Sequence, residues 1–199
     1  MYLRHRGLAP TVDPTAYVAP TAVLCGDVTV KAHARILFGA VLTAEDGAIT
    51  VGERCVVMEN ALIRGRANHP ARIGNDVLIG PHAHVNGATI EDGCFIATGA
   101  GIFPGAHVQR GSEVRIHGVV HVNTTLPPES TVPIGWVAVG DAILPPDRHD
   151  EIWAVQRELD FPGTVYGIAR GTDARTMMRG QTEWFAAHLD DDETSSAAG

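Results

Sequence analysis

The chain has 199 residues and a formal net charge of −8, with 45% hydrophobic and 19% charged side chains. This composition predicts one ordinary domain with a buried core and excludes wholesale disorder. The mild acidity disfavours nucleic acid or an anionic membrane as a partner, and no apolar run of about 20 residues could cross a bilayer. No apolar stretch follows the first basic residues, and the three cysteines are widely spaced. We therefore expect no signal peptide and a cytoplasmic location.

Aliphatic residues recur every six positions over most of residues 10–125. They are Val12, Val18, Leu24, Val30, Ile36, Leu42, Val51, Val57, Ile63, Ile73, Ile79, Val85, Ile90, Ile96, Ile102, Val108, Val114 and Val120. A small residue stands four positions after most of them, and Gly or Pro interrupts every potential helical turn. This period belongs neither to a helix nor to an isolated strand. It predicts short strands joined by tight turns, three to a coil, stacked as about six coils.

Interruptions of the six-residue period at residues 43–50 and 64–72 predict two loops that project from the coils. Cys55 and Cys94 share a small inward position two coils apart, about 10 Å by strand spacing, which is too far for a disulfide. We expect them to fill the core, and we expect Cys25 to be more exposed.

The regular repeat ends near residue 125, and the remaining chain has other patterns. Residues 126–146 are rich in proline and predict a connecting segment. Helical spacing of apolar residues predicts helices over 147–159 and 174–189. We expect the whole region 147–189 to pack on the three-sided stack of coils, called the prism below, or on a neighbouring subunit. Phe161-Pro-Gly163 is expected to end the first of these helices, and residues 190–199 to form a disordered acidic tail. The predicted fold is thus mainly β, with the coils over residues 1–125.

This repeat resembles that of the hexapeptide-repeat superfamily, whose members are left-handed parallel β-helices. Residues 41–52, 56–65 and 79–92, together with Ala97-Thr-Gly-Ala100, resemble the γ-class carbonic anhydrases in particular. The resemblance implies a homotrimer in which three histidines hold a zinc or iron ion between subunits. In that family a water bound to the metal is deprotonated and attacks carbon dioxide.

The three histidine positions of the family are occupied by Arg64, Pro81 and Asn86 in this sequence. Proline offers no donor, and a cationic guanidinium repels a metal ion. We therefore predict no cofactor and no zinc-hydroxide chemistry at the ancestral position.

Arg64 and Asn86 each follow an inward residue of one column, in adjacent coils, so they should lie side by side on an outer face. Planar donors of this kind can receive a carboxylate, a bicarbonate or a phosphate. By the resemblance, Thr43, Glu45 and Glu59 occupy supporting positions nearby. The alternative is that Arg64 only neutralises Glu45 or Glu59 at a subunit contact.

His82 and His84 flank the inward Ala83, so both are predicted to point outward from one strand. Either could act as a general acid or base on a substrate near Arg64. They could instead chelate a relocated zinc or iron ion with a third ligand from His117, His121 or His69. Hydrogen bonding at an interface is the third possibility.

Three functions remain open at this point. The first is a homotrimer similar to γ-class carbonic anhydrases, without their metal ligands, that binds a small anion in an inter-subunit cleft. The second is a hexapeptide-repeat acyltransferase that uses coenzyme A thioesters, which acetyl-CoA binding would reveal. The third is a non-catalytic scaffold subunit, which an exposed apolar flank would favour.

Overall fold

A computed structural model of the chain describes residues 1–194 and shows a three-sided parallel β-helix followed by short helices. The predicted fold class is confirmed. The first face contains Tyr2–Arg4, the first halves of Val23–Val30 and Val41–Val51, Leu62–Gly65, His84–Asn86, Gly101–Ile102, Val119–Val120 and Val137–Val139. The second face contains Thr11–Val12, the second halves of those two long strands, Ala71–Ile73, Thr89–Ile90, His107–Val108 and Thr125–Leu126. The third face contains Tyr17–Val18, Arg35–Ile36, Val56–Val57, Leu78–Ile79, Phe95–Ile96, Glu113–Val114 and Thr131–Val132.

The predicted aliphatic columns are the ladders that fill the prism. On the first face, Leu42 lies beside Leu24 and Ile63, and Val85 lies beside Ile63 and Ile102. The same stacking holds on the other faces, and the inward aliphatic residues of these columns, from Leu24 to Val120, are 0–3% exposed. The interior is therefore an apolar column one side chain wide on each face, closed by small residues at the corners.

The β-helix extends beyond the expected boundary at residue 125. The third face has seven strands, more than the six coils expected, and its last strand, Thr131–Val132, lies inside the predicted connecting segment. Val137–Val139 then adds a further strand to the first face and pairs with the antiparallel strand Ala142–Leu144. The prolines of this region suggested a connecting segment without strands. In the structure they follow the strands at turn positions, where no ladder hydrogen bond is lost.

The first predicted loop, residues 43–50, is instead part of one long strand, Val41–Val51, that bends around a corner. Gly47 in this strand allows the backbone of Arg66 to lie close to it, because a Cβ atom there would collide with the carbonyl oxygen of Arg66. The second predicted loop contains a tight turn at residues 66–69, closed by two backbone hydrogen bonds between Arg66 and His69.

Within residues 1–194, three α-helices follow the prism: α1 His149–Gln156, α2 Phe161–Tyr166 and α3 Ala174–Phe185. The expectation that Phe161-Pro-Gly163 only ends a helix is wrong, because these residues begin α2. Pro162 lies in the first turn of α2, where its missing N–H is not needed, and the Asp160 side chain accepts a hydrogen bond from the Gly163 backbone.

The start of the predicted disordered tail is ordered. The 3₁₀ turn Ala186–Asp190 ends α3, and Asp192–Glu193 pairs antiparallel with Tyr2–Arg4. Backbone pairing with an otherwise open edge strand fixes these residues despite their charge. The rest of that tail, residues 195–199, lies outside the described residues. None of the helices formed by the described residues has the length and hydrophobicity that a bilayer crossing requires.

Candidate functional site

A row of polar side chains lies on the outer surface of the first face. Arg64 is the direct cross-strand neighbour of Thr43 on one side and of Asn86 on the other. Adjacent strands are about 4.8 Å apart, so these side chains form one continuous patch across three coils. The expected adjacency of Arg64 and Asn86 is therefore present in the structure.

Several buried polar atoms on this face have no hydrogen-bond partner within residues 1–194. They are Thr43 Oγ1, Arg64 Nε, His84 Nε2, Asn86 Oδ1 and His121 Nδ1. Buried polar groups are nearly always paired, because an unpaired one costs about 1–3 kcal/mol. Their concentration on one face makes this patch incomplete by itself and suited to receiving a polar ligand or a partner surface.

Glu45 is the nearest negative charge to Arg64. Its carboxylate is 3% exposed, and Oε1 lies 3.7 Å from Arg64 Nε, which is longer than a hydrogen bond. Arg64 also lies over the ring of Phe185 at the end of α3, 5.7 Å from its centroid. Glu45 thus compensates the charge of Arg64 without satisfying its Nε–H donor.

Aromatic rings border the polar row on the side of the later coils. Phe103 lies 6.1 Å from the rings of both His84 and His121, and Phe161 of α2 lies 5.6 Å from His121 and 6.0 Å from Phe103. Burial, and then the positive charge of Arg64, lower the pKa of His84. Burial also lowers the pKa of His121. Both imidazoles are therefore neutral near pH 7 and able to accept a proton.

His82 does not share the strand of His84. It is exposed and occupies a turn at the corner between the third and first faces, with a left-handed φ of 57°. Its N–H donates to the carbonyl of Glu59, and the carbonyl of Pro81 accepts from Gly99. The residues equivalent to His82 in other coils also have positive φ: Gly39, Asn60, Gly99, His117 and Gly135. The predicted outward pair of histidines on one strand is wrong, because residue 82 forms the turn.

A cavity of about 380 Å³ lies between the turn at residues 66–69 and the helices α2 and α3. Its lining includes Arg66, His69, Tyr166 and Trp184. Arg66 lies over the Trp184 ring, 4.9 Å from its centroid. Because Trp184 and Phe185 are adjacent, the end of α3 contacts both Arg66 and Arg64. The end of α3 therefore covers part of the first face of its own chain, and the Arg64 side chain stays 27% exposed.

A second polar cluster, absent from the predictions, lies at the start of the same row. The side chains of His5, Cys25, His188 and Asp191 each offer a ligand atom, and these atoms all lie within 4.8 Å of one another. Cys25 was expected to be more exposed but is 2% exposed. The expected chelation by His82 and His84 has no counterpart in the cluster, which contains neither residue.

Hydrogen bonds connect this second cluster. Asp191 Oδ1 lies 2.6 Å from His5 Nδ1, and Asp191 Oδ2 lies 2.8 Å from His188 Nδ1. His188 Nε2 lies 2.9 Å from Glu45 Oε2. Burial alone would lower the pKa of His188, but the hydrogen bond to Asp191 and the charge of Glu45 raise it. Burial, and then Asp191, raise the pKa of the Cys25 thiol to about 12.

No sequence signal identified the second cluster. Cys25 and Asp191 are 166 positions apart, and Asp191 was counted with an acidic tail. The one signal that could have indicated part of it is the spacing of His188 and Asp191, which are three residues apart.

Comparisons with known proteins agree with this fold. A family model described as "Bacterial transferase hexapeptide (six repeats)" matches residues 70–104. Gamma carbonic anhydrase 1 of Arabidopsis thaliana mitochondria is 35% identical over 136 residues, 62% of this chain and 50% of that protein. The carnitine operon protein CaiE of Escherichia coli K12 is 33% identical over 95 residues, 48% of this chain and 45% of that protein. This chain spans about half the length of these curated relatives.

A solved structure shows the same fold over nearly the whole chain. It is a Bacillus cereus protein provisionally described as an acetyltransferase, with a TM-score of 0.59, covering 92% of this chain and 95% of that chain. At 14% identity the likeness concerns the fold alone. The chain therefore carries hexapeptide repeats on a parallel β-helix and is similar to γ-class carbonic anhydrases.

Proposed function

We propose that the chain forms a homotrimer that binds a small carboxylate- or bicarbonate-like anion in an inter-subunit cleft beside Arg64. Thr43, Glu45, Glu59 and Asn86 belong to the same proposed site. The observation that carries the proposal is the set of buried, unpaired polar atoms along the first face. A neighbouring subunit would close this patch, and the anion would accept hydrogen bonds from the donors in it, such as the Arg64 Nε–H.

The metal site of γ-class carbonic anhydrases does not fit this chain. Its ligand positions correspond to Arg64, Pro81 and Asn86, and no histidine stands at any of them. Arg64 Nε and Asn86 Oδ1 both lack partners within residues 1–194. The Arg64 guanidinium is itself positively charged, so the position suits an anion and not a cation. The ancestral zinc chemistry is therefore not part of the proposal.

The charges around Arg64 make anion binding selective. Glu45 is buried and already compensates one positive charge, so a large polyanion would meet a negative side chain. A monoanion with one planar carboxylate can use the Arg64 fork and the Asn86 amide while staying clear of Glu45. These features favour a carboxylate or bicarbonate over a phosphate ester.

His84 is better placed than His82 to exchange a proton with such a ligand. It lies on the strand that carries Asn86, and Arg64 influences its pKa. Its Nε2 is buried and unpaired among the described residues. A neutral imidazole in this position can accept a proton from a bound substrate and return it later. His82 is exposed at the corner turn, outside the strand that carries His84 and Asn86, so the proposed proton transfer is assigned to His84.

The experiment compares Arg64→Ala with Arg72→Ala by isothermal titration with bicarbonate and with acetate. Arg72 is exposed on the second face, so it controls for the loss of one positive charge. Removing a charge-assisted hydrogen bond costs about 1.5–3 kcal/mol, so Arg64→Ala should weaken binding about ten- to a hundredfold. Equal affinities of the two variants would contradict the proposal. Light scattering on the same samples should show three chains per particle, and a monomer would contradict the inter-subunit cleft.

Two other functions predict different outcomes in these samples. An acyltransferase would bind acetyl-CoA, with an affinity independent of Arg64. A scaffold subunit would bind neither anion nor thioester, and exposed apolar residues of the C-terminal segment, such as Trp153 and Leu189 at 59% and 87% exposed, would serve as its docking points.

A further inference from the structure

We propose that His5, Cys25, His188 and Asp191 form a zinc site that fastens both ends of the chain to the first coils. This inference does not rest on the proposed anion site. The four side chains come from three separate segments, since His188 and Asp191 are three residues apart, and their ligand atoms all lie within 4.8 Å of one another. Two imidazole nitrogens, a thiolate and a carboxylate are a donor set suited to tetrahedral Zn²⁺.

The backbone holds each of the four residues in place. His5 begins a tight turn closed by two backbone hydrogen bonds with Leu8, and Cys25 lies in a central strand beside Leu3. Asp191 precedes the strand that pairs with Tyr2–Arg4, and His188 lies in the 3₁₀ turn after α3. Binding would therefore require little ordering of the chain, which favours affinity.

The orientation of the histidines is the second observation that points to a metal. Both His5 and His188 direct Nδ1 toward Asp191, and their rings stack with centroids 4.3 Å apart. The other nitrogen of His188, Nε2, contacts the buried carboxylate of Glu45 at 2.9 Å. Histidines that bind metals usually donate their second N–H to a carboxylate, which fixes the tautomer and the ring orientation.

The unpaired Nε2 of His5 is consistent with this arrangement. The His5 side chain is 1% exposed, yet Nε2 has no partner within residues 1–194. A neutral His5 that coordinates through Nδ1 would carry its proton on Nε2, and burial of that single N–H is less costly than burial of an imidazolium.

Four protein ligands would leave no open coordination position, so the site would be structural. Zn²⁺ would displace the protons now shared among these groups, and the Cys25 thiol would bind as a thiolate. The bound ion would hold the end of α3, with Trp184 and Phe185, over Arg66 and Arg64. The zinc site would thereby hold the end of α3 in place against the first face.

The test uses the untagged full chain, because a polyhistidine tag would bind metal itself. After removal of metal, the protein is titrated with Co²⁺ and then with Zn²⁺. We expect one Co²⁺ per chain, with a thiolate-to-cobalt charge-transfer band and the strong visible bands of four-coordinate Co²⁺, all abolished by one equivalent of Zn²⁺. Weak visible bands without charge transfer would overturn the proposal.

Variants assign the ligands. Cys25→Ser should abolish the charge-transfer band, and His188→Gln should weaken Co²⁺ binding at least tenfold. Cys94→Ser is the matched control, because Ser112 fills the equivalent inward position in the next coil. An unchanged band in Cys25→Ser, or a band lost equally in Cys94→Ser, would refute the assignment. If Cys25→Ser fails to fold, the His188→Gln variant still tests the site, because His188 is partly exposed. A Co²⁺ affinity equal to that of the wild type in His188→Gln would refute the site.

Discussion

Buried polar groups are hydrogen-bonded in the prism interior, whereas several on the outer row of the first face have no partner within residues 1–194. In the interior, Ser112 Oγ donates to the Pro127 carbonyl and accepts from the Ser130 N–H. The Cys55 thiol donates to the carbonyl of Gly74. On the outer row, atoms of Thr43, Arg64 and other residues are equally inaccessible but have no partner within residues 1–194.

The two regions therefore differ in whether the chain itself satisfies their hydrogen-bonding groups. In the interior, the polar atoms of Ser112 and Cys55 are paired with the backbone of neighbouring coils, so residues 1–194 satisfy them. The outer row needs atoms that the described chain does not provide. A ligand or a second subunit is the simplest source of those atoms, and the predictions below test the contrast.

The largest effect is expected from a cavity in the interior. Ile96→Ala should lower the free energy of unfolding by about 2–5 kcal/mol, because Ile96 is fully buried in the third-face ladder. Ile134 lies in the turn after the last strand of this face and is 66% exposed, so Ile134→Ala should change the free energy of unfolding by about 0.5 kcal/mol or less. Urea denaturation at a fixed protein concentration measures both. Similar losses in the two variants would show that the interior is not the stabilising region.

A matched pair of Thr→Val substitutions tests the contrast directly. Thr124 Oγ1 donates to the Val122 carbonyl and accepts from the Gly140 N–H, whereas Thr43 Oγ1 has no partner among the described residues. Thr124→Val should therefore cost about 1–3 kcal/mol, because it leaves buried backbone groups unpaired. Thr43→Val should be neutral or stabilising in unliganded protein. A clear loss of stability in Thr43→Val would mean that its hydroxyl is already satisfied, by a partner subunit for example.

The smallest expected effect is the contribution of His84 to the pH dependence of stability. Its pKa is lowered in the folded chain by burial and by Arg64, whereas the unfolded value is about 6.5. As pH falls below about 6.5, the unfolded state binds a proton that the folded state does not, so stability falls until pH passes the folded pKa. His84→Gln should therefore lose less stability than wild type between about pH 7 and pH 5. Thermal unfolding across this range, with His82→Gln as the control, makes the comparison, and an unchanged slope would argue against a buried neutral His84.

The six-residue period determined the prism, its inward ladders and the adjacency of Arg64 and Asn86. One side chain in each short strand must point inward, so the spacing of aliphatic residues fixes the register of every coil. Register in turn fixes which outward residues are neighbours, although Arg64 and Asn86 are 22 positions apart. The same rule failed for His82, because the left-handed corner residue belongs to no strand.

Only the tertiary structure decided how the two ends of the chain meet on the first face. Tyr2–Arg4 offers an open strand edge, and Asp192–Glu193 pairs with it, so that His5, Cys25, His188 and Asp191 come together. No period links residues so far apart, and residues 186–193 read as a helix end followed by a charged tail. Their positions depend on backbone hydrogen bonds with a distant strand and on the stacking of Phe185 over Arg64. Such contacts exist only once the prism has formed, whereas the prism itself follows from local spacing.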